Sequence, residues 1–460
     1  MAKAGIVANN SPPPRAATTT REIVMLRHRF AGLWLAACTA CAGAQTAALN
    51  SAVAGQADHA YPALEALYQD IHSHPEIAFE ETRTAARLAA EMRALGFTVT
   101  EHVGKTGLVA IYENGAGPTV MVRTELDALP MEEKTGLPYA SRAKTISNGR
   151  ESFVAHSCGH DVHMAAWVGA ARTLVALKDR WQGRLMFIAQ PAEEIVAGAQ
   201  AMVADGLFTR FPRPEVAIAI HSGGGAYGTV QFRAGPAMSA ADGFEIVFKG
   251  RGGHGSAPHA TIDPVAMAAR FVTDVQTVIS REKDPREFGV ITVGAFQAGT
   301  VGNIIPDQAV LRGTIRSYLP EVREGLLAGL RRTAHHVAAA SGAPEPEITI
   351  VPGTGAVMND EGVIRRVEAA VKSSLGADKV LLAKPSTASE DFSVYALQGV
   401  PSLFMHFGVY PPERVEAASK PGAAPLPFNH SPQFAPVAEP SIKTGIKITS
   451  ASVLALLGKP

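Results

Sequence analysis

Residues 156–163, HSCGHDVH, form the densest group of chemically reactive side chains in the sequence. Cys158 and His160 are two positions apart, so an extended or turning backbone directs both side chains to one side, as chelation of a metal ion requires. A cysteine nucleophile beside His160 is the alternative, and it would need a separate base and an environment that stabilises the thiolate. These residues predict metal binding or catalysis, and they leave both mechanisms open.

Further donor residues follow apolar runs or lie in loops. Glu193 and Glu194 end one run, His221 closes another, and His430 lies in the Pro-rich loop 409–432. Adjacent side chains face different directions, so one glutamate can bind a metal ion while the other holds a water molecule. Two buried carboxylates without a cation would disfavour each other's ionisation. Taken singly, His221 and the glutamate pair are also compatible with structural or solvated roles.

The elements that would position these residues alternate between helix and strand from about residue 60, which favours an α/β architecture. Nearly unbroken apolar runs at 118–125, 184–190 and 216–221 predict central strands covered on both faces. Helical spacing over 159–178 predicts a helix that begins within the HSCGHD motif. Since ligand sites in such sheets form at the carboxyl ends of strands, we expect the donor residues to converge there.

The length of 460 residues exceeds what one hydrophobic core usually organises, so two structural domains are expected. An order of strand, helix, strand, strand and helix over 240–352 predicts a small α+β domain inserted into a larger one, which would consist of 55–239 and 353–460. Lys+Arg and Asp+Glu both number 42, so the charge balance gives no reason to expect nucleic acid or an anionic membrane as a partner.

Residues 1–44 have the pattern of an N-terminal extension and a secretory signal. From Met25 the sequence is first basic, then apolar over 30–40, then rich in small residues up to Ala44. The apolar run is shorter than the ~20 residues of a membrane-spanning helix. We therefore expect an exported protein, periplasmic or secreted, with cleavage near Ala44 and no membrane span. The alternative is a lipoprotein anchored at Cys38, because LAAC resembles a lipobox.

Export also limits what Cys158 can do. The chain has three cysteines, and Cys38 and Cys41 lie within the predicted signal. A mature protein cleaved after Ala44 would retain Cys158 alone and could not form an intramolecular disulfide. A single thiol in an oxidising compartment has to be buried, reactive or bound to a metal ion.

A series of motifs runs in order through nearly all of residues 60–455: HSHPEIAFEE, PTVMVRTELDALPMEE, HSCGHDVHMAAWVGAA, QPAEE, GRGGHGSAPHATIDPV, NIIPD, GTIRS, SEDF and HSPQF. Together they resemble the M20 metallopeptidase family, in its amidohydrolase branch of N-acyl-amino-acid, hippurate and indole-acetyl-amino-acid hydrolases. The resemblance implies an α/β dimetal hydrolase catalytic domain with an inserted smaller α+β lid or dimerisation domain, in agreement with the insertion predicted at 240–352.

The resemblance also implies a metal centre. Glu193 would act as general base, and the cofactors would be two divalent metal ions, manganese or zinc in the first place and cobalt or nickel as alternatives. The residues implied as metal ligands are Cys158, His160, Glu194, His221 and His430.

Other residues receive supporting roles from the same resemblance. His254 would stabilise the oxyanion, reaching across a dimer, and Asp127 would orient a metal ligand. Asn303 and Arg316 would hold the substrate carboxylate, with a structural role in the lid as the alternative. The branch usually has aspartate where this chain has Glu125, so the fine geometry of the metal centre is expected to differ. The remaining histidines of these motifs are expected to be structural or supporting: His72, His74, His156, His163 and His259.

The function expected from these residues is hydrolysis of the amide bond of N-acyl-amino acids or small dipeptide-like amides. The substrate would be a small molecule, and the chain would form a homodimer or a higher homo-oligomer through the lid. A dipeptidase or carboxypeptidase is the first alternative, against which Cys158 argues because those branches usually carry histidine and aspartate ligands. An exported binding protein without catalysis is the second, against which the retention of Glu193 argues.

Overall fold

The computed structural model describes the backbone of residues 20–459 and the side chains of residues 44–459. Residues 1–43 of the predicted extension and signal, including Cys38, therefore lie outside the described side chains. The chain divides into two units, Met1–Ala52 and Val53–Pro460, and the second contains every strand of the described residues. Within the described part of the chain, no helix is both long and apolar enough to cross a membrane.

The helices of the described residues vary widely in length. They are α1 (Thr20–Ser73), α2 (Thr82–Ala94), α3 (His160–Ala176), α4 (Gly198–Ala204), α5 (Pro264–Asp274), α6 (Pro320–Ala340), α7 (Glu361–Leu375), α8 (Ser393–Leu397), α9 (Pro412–Ala418) and α10 (Ala438–Leu457). Single turns of 3₁₀-helix occur at Lys178–Arg180, Pro258–Ala260 and Ala377–Lys379, and a π-helical turn at Val278–Glu282.

The strands of the first half are β1 (Thr98–Val103), β2 (Gly107–Asn114), β3 (Thr119–Glu125), β4 (Lys144–Ser147), β5 (Arg150–Phe153), β6 (Gly183–Gln190), β7 (Val216–Ala226), β8 (Val230–Phe232) and β9 (Gly235–Met238). The later strands are β10 (Ala240–Lys249), β11 (Gly253–His254), β12 (Gly289–Ala298), β13 (Ile304–Ile305), β14 (Gln308–Ser317), β15 (Glu347–Pro352), β16 (Val357–Asn359), β17 (Val380–Leu382) and β18 (Ser402–Tyr410).

The main sheet has eight strands in the order β1-β2-β6-β3-β7-β18-β8-β17. Its four central strands, β6, β3, β7 and β18, are mutually parallel, and every residue of β3 is buried. Helices α3 and α10 pack together and against β3 and β7. The expected α/β architecture is confirmed, and the parallel strands bring their carboxyl ends to the same edge of the sheet.

Residues 240–352 build a second sheet, which we call the lid sheet. Its antiparallel order is β12-β14-β10-β15, and helices α5 and α6 pack on it. It has its own core, in which Phe244, Ile246 and Phe248 of β10 lie with Phe271 and Leu330 of the helices. The predicted order of strand, helix, strand, strand and helix is present. The division into separate domains at 240 and 352 stays a prediction.

The prediction of a loop over 409–432 is wrong in part, since helix α9 lies within this range. Pro412 occupies the first position of this helix, where the missing N–H of proline would have no partner in any case. Strand β18 also continues to Tyr410. The irregular backbone that carries His430 is therefore shorter than the sequence pattern indicated.

Candidate metal centre

The turn that carries Cys158 and His160 depends on Gly159. Gly159 has a φ of +79°, in the left-handed region that favours glycine, and a Cβ there would lie 2.4 Å from the Ser222 hydroxyl oxygen. Helix α3 begins immediately after it, at His160. Cys158 and His160 are both buried, with 6% and 0% of their surface exposed. A larger residue at position 159 would displace both donors.

Two histidines present their Nε2 atoms to this turn. Nδ1 of His160 donates to the Asp127 carbonyl at 2.7 Å, and Nδ1 of His221 donates to the Ser222 carbonyl at 2.8 Å. A carbonyl oxygen only accepts, so each neutral ring carries its proton on Nδ1 and keeps a lone pair on Nε2. Burial lowers the pKa of both His160 and His221, which favours the neutral form that binds metals.

The adjacent glutamates follow β6 and are held by backbone hydrogen bonds. The Asp127 carboxylate accepts from the backbone N–H of Glu193 at 3.1 Å and of Glu194 at 2.9 Å. The Glu81 carboxylate accepts a hydrogen bond from the backbone N–H of Ala192 at 2.8 Å, and Ala192 itself has a φ of +50°. Asp127 thus touches both the His160 segment and the glutamate pair. Its role in orienting a metal ligand stays a prediction.

His430 reaches the same place from the loop before α10. Its backbone has a φ of +69°, and its N–H donates to the Ser157 carbonyl at 2.8 Å. Its Nε2 lies 3.1 Å from Oε2 of Glu194. This hydrogen bond raises the pKa of His430.

The expected ligands therefore converge. Ligand atoms of Cys158, Glu194 and His430 lie within 4.8 Å of one another, and so do those of His160, Glu193 and Glu194. The Cys158 sulfur is 3.6 Å from Nε2 of His221.

Two buried atoms of the expected ligands have no hydrogen-bond partner within the part of the chain that the structure describes. They are Nε2 of His160 and Oε1 of Glu194, which lie 3.9 Å apart. Buried polar groups of folded proteins are nearly always paired, and a cation between these two atoms would satisfy both. Three imidazoles, a thiolate and carboxylates are donors that suit divalent transition metals. The residues present thus fit the metal centre that the motifs implied.

A cavity of about 410 Å³ opens onto these donors. Its lining includes Cys158, Glu194, His221 and His430, together with Glu193. Burial raises the pKa of the Glu193 carboxyl group well above its ordinary value, and the neighbouring carboxylates raise it further. Burial, followed by the carboxylates of Glu194 and Glu193, raises the pKa of the Cys158 thiol, an effect that a bound cation would reverse.

Of the two predicted substrate residues, Arg316 lines the cavity among the described residues. Arg316, on β14 of the lid sheet, lines the cavity and donates through Nη1 to the Ser389 hydroxyl at 2.9 Å. Phe428 also lines it, with 63% of its surface exposed. The cavity therefore joins the donors of the main sheet to a cation of the lid sheet.

His254 and Asn303 do not line this cavity. His254 is exposed in the short strand β11, which pairs with β13, and Gly255 N–H donates to the Asn303 carbonyl at 2.8 Å. The Ser256 backbone N–H donates to Nδ1 of His254 at 3.1 Å, so Nε2 of the neutral ring carries the proton. The structure thus brings His254 and Asn303 next to each other, but not to the donors of the same chain.

A buried charge network beneath the donors was not predicted. Arg123, with 1% of its surface exposed, forms ion pairs with Glu390 at 2.7 Å, with Asp391 at 2.9 Å and with Glu125. Its Nε donates to the Gln190 side-chain oxygen at 3.0 Å. The SEDF motif was a signal for Glu390 and Asp391, but sequence reasoning assigned them no role.

Glu125 belongs to this network rather than to the cavity lining. Its Oε2 lies 2.8 Å from Nε2 of His163, whose Nδ1 is 2.7 Å from the Thr124 hydroxyl. Burial opposes ionisation of Glu125, but Arg123 and His163 hold its pKa well below the ordinary value. Glu125, the residue that departs from the family pattern, thus lies between the buried cation of Arg123 and His163, the last residue of HSCGHDVH.

A second buried cluster supports the start of α3. His72 lies between Asp161, 2.6 Å from its Nδ1, and Glu133, 3.1 Å from its Nε2. Burial alone would lower the pKa of His72, but these two carboxylates raise it to about 10. Both ring nitrogens of His156 are buried without a hydrogen-bond partner among the described residues, and burial lowers its pKa to about 4. The supporting roles of His72 and His156 stay a prediction.

Comparison with known proteins identifies the family. The model of peptidase family M20/M25/M40 matches residues 121–422. The chain is 36% identical to an N-acetyl-L-cysteine deacetylase of Bacillus subtilis (strain 168), over 74% of this chain and 78% of the relative. The chain belongs to this family. The resemblance read from the motifs is confirmed, and the M20 protein is a metal-dependent amide-bond hydrolase.

Other relatives are named as a hydrolase and a carboxypeptidase. A hippurate hydrolase of Campylobacter jejuni is 33% identical over 72% of this chain and 84% of its own length. A thermostable carboxypeptidase of Saccharolobus solfataricus is 34% identical over 74% and 84%. The solved structure of the Bacillus subtilis YXEP protein, described as a dinuclear metal-binding peptidase of the M20 family, matches with a TM-score of 0.71 and 28% identity over 87% of this chain and 99% of that one.

Proposed function

We propose that this M20 protein hydrolyses the amide bond of N-acyl-amino acids, using two divalent metal ions and Glu193. The observation that carries the proposal is a single cavity in which Glu193, four expected ligands and Arg316 all line the wall. Metal donors and a carboxylate base are the groups that amide hydrolysis needs, and the Arg316 cation in the same cavity suits a substrate with a free carboxylate.

The metal ions are proposed to be Mn²⁺ or Zn²⁺, with Co²⁺ or Ni²⁺ as substitutes. Cys158, His160, Glu194, His221 and His430 would hold them. Bound there, the ions would polarise the amide carbonyl and make the attacking water more acidic.

The residues of the chain would carry the proton and orient the substrate. Glu193, whose pKa burial raises, accepts a proton from the attacking water as the new C–O bond forms. It then gives this proton to the amide nitrogen as the C–N bond breaks, which releases a carboxylic acid and a free amino acid. Arg316 would bind the carboxylate of the amino acid half and so fix which side of the amide faces Glu193.

A hydrolysis panel tests this function. Metal-free protein, supplied with Mn²⁺ or Zn²⁺, is assayed against N-acetyl, N-benzoyl and indole-acetyl amino acids and against dipeptides. We expect cleavage of N-acyl-amino acids that requires added metal, and much slower cleavage of their carboxyl methyl esters because Arg316 loses its anionic partner. Preferred cleavage of dipeptides would instead support the carboxypeptidase alternative, and no cleavage of any amide would overturn the proposal.

The Cys158→Ser variant separates a ligand from a nucleophile. We expect it to lose bound metal, measured by elemental analysis of the purified protein, since a serine hydroxyl is a poor replacement for a thiolate ligand. A variant that keeps its full metal content and is inactive would point to a cysteine nucleophile instead.

We also propose that two copies of the chain associate through the lid sheet. His254, with its Nε2 proton free to donate, and Asn303 lie together on the lid but apart from the donors of their own chain. A second copy would supply them to the cavity, where His254 would stabilise the oxyanion. Mixing the inactive variants His254→Ala and Glu193→Gln should then restore activity, because a mixed dimer contains one intact site. Failure to restore activity would contradict the shared site.

Export from Met25 with cleavage near Ala44 is proposed from the sequence pattern alone. The N-terminal sequence of protein recovered from the periplasm or medium would begin after Ala44. A lipid-modified Cys38 at the N-terminus would support the lipoprotein alternative.

A further inference from the structure

The side-chain amide of Asn429 contacts two segments that carry expected metal ligands. Its Nδ2 donates to the Cys158 carbonyl at 2.8 Å and to the Ser222 carbonyl at 3.2 Å. The same nitrogen lies 3.7 Å from the Cys158 sulfur. Cys158 and Asn429 are 271 residues apart in the chain. The residue also lines the cavity, yet the proposed hydrolysis gives it no role.

Each residue that takes part in these hydrogen bonds is an expected metal ligand or the chain neighbour of one. Cys158 is itself a ligand, Ser222 follows His221 on β7, and Asn429 precedes His430. An amide nitrogen has two hydrogens, so three acceptors around it require that one hydrogen be shared. One side chain thus ties together the loop before α3, strand β7 and the loop before α10.

The His430 segment needs such a restraint. His430 has a φ of +69°, a conformation that is unfavourable for a residue with a Cβ and persists only where its surroundings enforce it. Its side chain is 56% exposed, so packing does not hold the ring. Among the described residues, His430 is held by the contact of its ring with Glu194 and by the hydrogen bond from its N–H to the Ser157 carbonyl.

We propose that Asn429 is a positioning residue of the metal centre, whose side-chain amide sets the position of His430 relative to Cys158 and directs one N–H at the Cys158 sulfur. The inference rests on the proposed function, because it takes Cys158 and His430 as ligands. Because Asn429 precedes His430 in the chain, the hydrogen bonds of its side-chain amide hold the backbone of His430 in its left-handed conformation. Its N–H to the sulfur orients the thiolate lone pairs toward the space between Cys158, Glu194 and His430.

Cobalt binding tests this role without relying on activity. Metal-free full-length protein is titrated with Co²⁺ against a competing chelator, and the thiolate-to-cobalt absorption band is recorded. We expect Asn429→Ala to bind Co²⁺ about 10–100-fold more weakly, the range found when groups that orient metal ligands are removed. The band should also shift, because the thiolate is no longer held in the same orientation.

Asn429→Asp is the sharper variant, because it keeps the shape and replaces the donor by an acceptor. A carboxylate facing two carbonyls and a thiolate is repelled, so we expect Co²⁺ binding at least as weak as in Asn429→Ala. If Asn429 instead contacted the cation through its oxygen, Asn429→Asp would bind Co²⁺ as tightly as the unchanged protein or more tightly. That result would overturn the positioning role.

The chain offers a matched control in Asn359. Its side chain also makes three hydrogen bonds to backbone atoms, at 2.9 Å to the Arg233 carbonyl, at 3.0 Å to the Phe404 carbonyl and at 2.7 Å from the Phe404 N–H, and it does not line the cavity. Asn359→Ala should leave the Co²⁺ affinity and the absorption band unchanged. Melting curves of the metal-free proteins identify any variant that has lost its fold.

The outcomes separate the role of Asn429 from the function on which it rests. If the unchanged protein shows no thiolate-to-cobalt band, Cys158 is not a ligand, and both the metal centre and the role of Asn429 fail. If the unchanged protein shows the band and Asn429→Ala shows the same band and affinity, the positioning role of Asn429 fails and the metal centre stands.

Discussion

Replacing Arg123 by methionine should destabilise the protein more than any exposed arginine replacement. The guanidinium group is fully buried and pairs with the carboxylates of Glu125, Glu390 and Asp391, each with at most 2% of its side chain exposed. Methionine has a similar length and leaves the three carboxylates without a cation. Removing one partner of a buried ion pair costs about 3–5 kcal/mol, because the remaining charge is left uncompensated.

The magnitude follows from the burial of every group involved. Salt screens exposed charges strongly but buried ones much less, so the range for a buried pair is the appropriate one here. Burial raises the pKa of Glu390 and of Asp391, whereas that of Glu125 is lowered, so Glu125 is the main ionised partner of Arg123. A loss of about 3–5 kcal/mol is a large part of the free energy of unfolding of ordinary proteins, about 5–15 kcal/mol. By contrast, Arg312 pairs with Glu245 at 2.6 Å where the side chains are 53% and 38% exposed. Arg312→Met should cost about 0–1 kcal/mol.

Urea denaturation of the metal-free proteins at neutral pH measures the free energy of unfolding that Arg123→Met and Arg312→Met each lose. The difference between Arg123→Met and the unchanged protein should shrink on acidification. Arg123 and His163 hold the pKa of Glu125 below its ordinary value of 4.5, so the stability that Glu125 contributes is present above that pH and is lost as the pH falls. A loss in Arg123→Met as small as that in Arg312→Met would refute the reasoning, since it would mean that the carboxylates carry little charge.

Three further outcomes are expected. Glu193→Gln should keep its metal content, by elemental analysis, and lose about 100-fold or more in kcat; near-normal turnover would remove its role as base. Arg316→Ala should lower kcat/KM for N-acyl-amino acids by about 10–100-fold, as loss of a charged hydrogen bond of about 1.5–3 kcal/mol implies, and should leave the methyl esters unaffected. The pKa of His72 is raised from 6.5 to about 10, so its contribution to stability is complete below pH 6.5 and is lost as the pH rises to 10. Over this pH range, the melting temperature of the unchanged protein should therefore fall more than that of His72→Gln.

Much of the main sheet could be predicted because its strands are locally apolar. The runs at 118–125, 184–190 and 216–221 correspond to β3, β6 and β7, since central parallel strands are buried on both faces and leave an unbroken apolar pattern. The helix that starts in HSCGHD could be predicted for the same local reason. The convergence of its donors with Glu194 and His221 followed from the rule that parallel strands end at one edge.

The buried network could not be predicted because its partners are distant in the chain. Arg123 lies in an apolar strand, and an arginine there gives no sign of whether it is buried. Its compensating carboxylates, Glu390 and Asp391, lie 267 and 268 residues away. A single sequence has no local pattern for such a pair. The same holds for Asn429, whose role depends on carbonyls of segments brought next to it by the fold.

The position of β18 has a consequence for synthesis of the chain. Strand β7, which carries His221, pairs with β3 on one side and with β18 on the other, and β18 follows the whole lid sheet in the sequence. While the ribosome makes the lid, the nascent β7 presents an unpaired apolar edge, which is a template for aggregation. Chains that terminate before Ser402 would keep that edge open and lack His430. The growing polypeptide therefore requires its last part both for solubility and for metal loading, so yield of intact protein should depend on shielding by chaperones during this interval.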